Sequence, residues 1–89
     1  MADRNRVCVR IAGNEYTICG GESAEYIQRV ALYVDRKTVE VMRANHTLST
    51  SMASVLTAVN VADEMFKAKE KKESLQSELD QLQKTLLEL

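Results

Sequence analysis

The chain has 89 residues, a formal net charge of −1 and 45% hydrophobic residues, enough for one small domain plus an extension. A near-neutral balance argues against a basic field for nucleic acid or anionic membrane. No apolar run approaches the ~20 residues a membrane span needs, and no apolar stretch follows the charged start as a secretory signal would require.

Met1 to Asn5 read as a frayed polar end. From Val7 to Ala12 apolar and polar residues alternate, with Val7, Val9 and Ile11 on one face. Gly13-Asn14 suits a two-residue type II′ turn, and a second strand follows from Glu15 to Cys19, giving a hairpin over residues 7–19. That turn pairs Ile11 with Tyr16 and Val9 with Ile18, and sets Cys8 opposite Cys19. In a reducing cytosol the two cysteines are expected as small buried or half-buried thiols rather than a bridge.

Gly20-Gly21 breaks the second strand. Ser23 is a suitable N-cap, with Glu22 and Glu25 at the positive end of a helix dipole. Ile27, Val30, Ala31, Val34, Thr38 and Val41 recur at steps of three and four, so an amphipathic helix is predicted over residues 23–44. Arg29, Asp35, Arg36, Lys37, Glu40 and Arg43 take its polar side. Asn45 and His46 suit the exit, and Thr47 or Ser49 can cap the next helix, with Leu48 as a hydrophobic staple.

From Ser49 to Leu89 there is neither Pro nor Gly. The stretch is predicted as one helix of roughly 40 residues, about 60 Å at 1.5 Å per residue. Its first half carries small residues (Ser51, Ala53, Ser54, Thr57, Ala58) and an apolar stripe of Val55, Leu56, Val59, Ala62 and Phe66. That half is expected to pack against the first helix, the hairpin and a partner together. In the second half Leu75, Leu79, Leu82, Leu86 and Leu89 alternate by four and three, which is a coiled-coil seam. Extending the frame backward places Lys72 and Met65 at a, and Ala68 and Val61 at d. Lys72 either sets register or carries its amine out to water along a flexible stem. The oligomerisation seam is thus Val61, Met65, Ala68, Leu75, Leu79, Leu82 and Leu86. The chain offers no second helix of matching length, so another copy is the expected partner. The fold class is α+β and mostly α, with a head over residues 1–66 and a coiled-coil tail over residues 67–89.

Residues with catalytic potential are sparse. His46 is the single histidine, and no phosphate loop or Cys/His metal spacing is present. Asp63 and Glu64 are adjacent on a helix, so they diverge by about 100° and make a poor acid–base pair. Asp63 instead suits an ion pair with Lys67. Asn60, in an apolar stretch, is expected as a structural polar contact. No enzyme, cofactor or metal is expected.

The chain resembles the ZapA family over nearly its whole length. The resemblance is carried by V-x-V-x-I-x-G-x-x-Y-x-I (Val7 to Ile18), E-Y-I-x-x-V-A-x-Y-V-D-x-K (Glu25 to Lys37) and L-T-A-V-N-V-A-D-E-M (Leu56 to Met65). The segment around Asn60, Ala62, Asp63 and Glu64 is its most specific part, and the short length is similar to that of Gram-positive-type members. Cys8 and Cys19 are outside the pattern. The resemblance implies a cytoplasmic, non-enzymatic cell-division scaffold at mid-cell. Such a scaffold binds FtsZ, the tubulin-like division GTPase, and bundles its protofilaments in the Z-ring. It also implies dimers through the head and tetramers through the long helices, with neither nucleic acid nor membrane insertion. Exposed charges near the end of the first helix, Arg36, Lys37, Glu40 and Arg43, are the expected FtsZ contact. A generic coiled-coil adaptor or a DNA-binding dimer is the alternative; a contiguous basic helix, which DNA binding would favour, is missing.

Overall fold

The computed structural model describes residues 5–89; the expected frayed end at Met1 to Arg4 lies outside the described residues. Strand β1 (Asn5–Ile11) pairs antiparallel with β2 (Asn14–Gly20), helix α1 spans Ala24–Ala44 and helix α2 spans Thr50–Glu88. The mostly helical α+β class and the order of elements are as the sequence predicts. Two compact units are distinguished, one ending at Ala58 and the other running from Val59 to Leu89.

The hairpin is displaced from its expected register. Its turn is Ala12-Gly13, not Gly13-Asn14, and Ile11 pairs with Asn14, Val9 with Tyr16 and Val7 with Ile18. Both turn residues have positive φ, 51° at Ala12 and 84° at Gly13, as a type I′ turn requires. Ala12 is an unusual residue for the left-handed region, where a Cβ is disfavoured. Its N–H donates to Asp35 Oδ1 at 2.7 Å, which anchors the turn to α1. Each strand residue changes partner by two positions, so no side chain changes face. Val7 and Val9 are buried, and Ile11 and Ile18 pack beside them.

The new register separates the cysteines. Cys8 lies opposite Thr17 and Cys19 opposite Arg6. Diagonal neighbours in a ladder are about 7–8 Å apart, beyond the usual Cα span of a disulfide. Both thiols are free, and both are exposed rather than buried or half-buried, because they share the face turned away from the core.

Ser23 caps α1, its hydroxyl accepting from the Tyr26 N–H at 3.1 Å. Ile27, Ala31 and Thr38 form the buried stripe, and the Thr38 hydroxyl donates to the Val34 carbonyl at 2.8 Å. Val30, expected in that stripe, is exposed. Three side chains lace α1 and its approach to the hairpin backbone. Asn5 donates to the Glu22 carbonyl at 2.6 Å, Gln28 to the Cys8 carbonyl at 3.1 Å, and Asp35 accepts from Ala12. Asn5, read from sequence as part of the frayed end, therefore opens β1.

Ser49 caps α2, accepting from the Met52 N–H at 3.1 Å. Of the 39 residues of α2 only Ala53 and Thr57 are buried, the latter donating to the Ala53 carbonyl at 2.7 Å. Their inward face is built from small residues, which allow close backbone approach. Contrary to expectation, Val55, Leu56, Val59 and Phe66 stay exposed within the chain. A face that takes only small side chains leaves the large ones on the remaining circumference.

Candidate functional site

The leucine seam occupies the unit from Val59 to Leu89. Leu75, Leu79, Leu82 and Leu86 are 55%, 48%, 63% and 68% exposed. Met65, Ala68 and Lys72 are exposed as well, and Val61 is half-buried. The helix brings all of them onto one stripe by the 3.5-residue repeat, and from Met65 onward that stripe is exposed. Burying an aliphatic side chain is worth about 1.5–3 kcal/mol relative to exposure, so this stripe is a large unsatisfied apolar surface. On the opposite side of the helix Asp63 and Lys67 form a 2.9 Å ion pair. The hydrogen bond that Lys67 donates to the Asp63 carboxylate, together with the negative charge there, raises the Lys67 pKa from its ordinary 10.5. The contribution of that pair is therefore present below the lysine's ordinary value and lost only as pH rises through the raised one. Asn60 is exposed within the chain.

The second candidate surface is on α1. At 100° per residue Arg36, Glu40 and Arg43 share one ridge opposite the buried stripe, and all three are exposed. Arg29 lies on the same ridge, so Arg29, Arg36 and Arg43 recur every seven residues. Lys37 does not join them. It is half-buried, 3.8 Å from Glu40, and its amine lies 5.4 Å from the centre of the Tyr33 ring. The Arg29 guanidinium is held similarly, 5.7 Å from the Tyr26 ring centre.

Beside the end of this ridge is an open depression of about 390 Å³, lined by Ala12, Gly13, Val39, Met42, Arg43 and His46 among others. Among the described residues no group of three or more His, Cys, Asp or Glu is placed to hold a metal ion. No described helix is long and apolar enough to cross a membrane.

Sequence reasoning did not single out Gln28, whose side chain closes the outer edge of β1, nor the hairpin-anchoring role of Asp35. Neither carries a local signal, since each bonds a backbone group at least 20 residues away in sequence. It also missed Tyr26 as part of an exposed surface, because the residue lies just off the periodic stripe.

A two-stranded hairpin on an amphipathic helix, continued into a 39-residue helix with an uncovered leucine stripe, defines a protein built for association. The family model for Cell division protein ZapA matches residues 7–89. The Cell division protein ZapA of Geobacillus thermodenitrificans is 45% identical over 76 residues, covering 85% of this chain and 84% of its own. That of Bacillus mycoides is 40% identical over 79 residues, covering 89% of each. A solved ZapA mutant dimer from Geobacillus stearothermophilus superposes with a TM-score of 0.68 at 41% identity, covering 88% of this chain and 91% of that one. The chain belongs to the ZapA family of cell division proteins.

Proposed function

We propose that this protein is a non-enzymatic, cytoplasmic scaffold of the Z-ring that self-associates and cross-links FtsZ protofilaments at mid-cell. The uncovered stripe of Leu75, Leu79, Leu82 and Leu86 carries the reading. A continuous helix about 58 Å long cannot bury such a stripe on its own chain, and a second identical helix supplies a complementary one. Residues 1–66 act as the head that pairs into dimers, and residues 67–89 as the tail that joins dimers into tetramers. Val61, Met65 and Ala68 extend the tail seam toward the head. An assembly with several copies of a weak site gains affinity through effective concentration, without any new contact.

The α1 ridge is the proposed FtsZ face. Arg36, Glu40 and Arg43 are exposed together, and the heptad spacing of Arg29, Arg36 and Arg43 favours an acidic partner surface. Lys37 contributes from the flank, its charge held beside Tyr33 and Glu40. Arg43→Glu, at unchanged oligomeric state, is expected to reduce FtsZ co-sedimentation several-fold, since reversing a rim charge puts like charges together. Undiminished pelleting would remove Arg43 from the contact.

A further inference from the structure

The face of the hairpin turned away from the core carries Arg6, Cys8 and Arg10 along β1, and Glu15, Thr17 and Cys19 along β2, all exposed. In a two-residue hairpin the residues flanking the turn form a hydrogen-bonded pair, and bonded and non-bonded pairs then alternate. With Ile11 opposite Asn14, this face holds the non-hydrogen-bonded pairs: Arg10 with Glu15, Cys8 with Thr17 and Arg6 with Cys19. Side chains stand closest in pairs of that kind. Cys8 and Cys19 are therefore diagonal neighbours on one solvent-facing surface.

Their spacing selects a chemistry. A disulfide needs Cβ atoms about 3.5–4.5 Å apart, less than a ladder diagonal provides. One ion inserted between the sulfurs changes the reach. A thiolate–metal bond is about 2.3 Å, so a two-coordinate ion holds its sulfurs up to about 4.6 Å apart, against about 2.0 Å in a disulfide. The Cβ span then grows to roughly 6–7 Å, which is the separation of diagonal neighbours.

The donor set selects the ion. Thiolates favour soft metals. Four-coordinate zinc and iron–sulfur clusters need more ligands, and among the described residues no group of three or more His, Cys, Asp or Glu is placed together. The carboxylate on this face, Glu15, has its Oε1 3.4 Å from Arg10 Nη2. Copper(I), a soft closed-shell ion, is satisfied by two thiolates in a line. Binding releases two protons from the thiols and leaves a complex of net charge −1. Arg6 lies opposite Cys19 and two residues from Cys8, about 7 Å along the strand. Among the described residues Arg6 forms no ion pair, so its guanidinium is open to that charge.

We propose that Cys8 and Cys19 chelate one copper(I) ion across the outer face of the hairpin, with Arg6 offsetting the negative charge of the complex. The test uses the full chain, reduced and free of oxygen, titrated with copper(I) buffered by a chromogenic chelator. One ion per chain is expected, with a thiolate-to-copper absorption band in the ultraviolet. Cys8→Ser and Cys19→Ser should each weaken binding by at least about a hundredfold, because each removes a second ligand held at high effective concentration. Arg6→Ala should weaken it several-fold with the stoichiometry unchanged. Both cysteines are exposed, so the serine variants keep the fold, which circular dichroism checks. Two thiols acting singly would leave each serine variant half of the binding at unchanged affinity, and that outcome overturns the chelate. One ion per two chains also overturns it, since the thiols would then be joined between copies. Binding as tight in urea as in buffer overturns the role of the hairpin in bringing the two sulfurs together.

Discussion

The bond from Ala12 N–H to Asp35 Oδ1 ties the hairpin turn to α1. Ala12 holds φ 51°, a conformation disfavoured for any residue with a Cβ. Ala12→Gly is therefore expected to raise stability by about 0.5–1 kcal/mol, as relief of left-handed strain outweighs the added chain entropy. Asp35→Ala should lower it by about 1–2 kcal/mol, because a half-buried amide loses its acceptor. Chemical denaturation of both variants checks the pair; equal effects of one sign would contradict the assigned roles. The sequence does not disclose this bond. Gly13 signals a turn, but whether it takes the first or the second central position depends on Asp35, which lies 23 residues away in the chain.

At the level of elements the reading of the sequence succeeds where the physics is local. The periodicity of Ile27, Ala31 and Thr38 and the capping hydroxyls of Ser23 and Ser49 place both helices to within a residue or two. Ser23→Ala and Ser49→Ala should each cost about 1 kcal/mol, the usual penalty for removing an N-cap acceptor. Circular dichroism in urea should show the losses with helix content otherwise intact. The burial of α2 was less legible. Its large apolar residues suggest an inward stripe, yet Ala53 and Thr57 take that place. Apolar character marks what must be covered; it does not say whether the cover comes from the same chain. The exposure of Lys37 fails for a related reason, since Tyr33 draws the lysine stem and amine against its ring.

For the whole molecule, the exposed leucine stripe is a surface that self-association can satisfy. A charge buried without a partner is strongly penalised, so Leu82→Glu should abolish the larger species while sparing the smaller one. Light scattering across a concentration series reads this directly. Survival of the larger species would exclude Leu82 from any assembled contact. The candidate FtsZ ridge was readable as a set of charges on the polar side of the helix, but that Lys37 is half-buried while Arg36, Glu40 and Arg43 are exposed became clear only in the structure.

The hairpin turn of two residues and the short link from Gly20 to Ala24 keep contacting segments close along the chain. Contacts of low sequence separation form quickly, on the order of microseconds for a hairpin. Bimolecular encounter has no such advantage at micromolar protein. After dilution from denaturant, secondary structure should therefore return in a rapid phase independent of concentration, followed by a slower one whose rate scales with it. The stock of assembled protein in a growing cell would then be set by how often copies meet rather than by how fast each one folds.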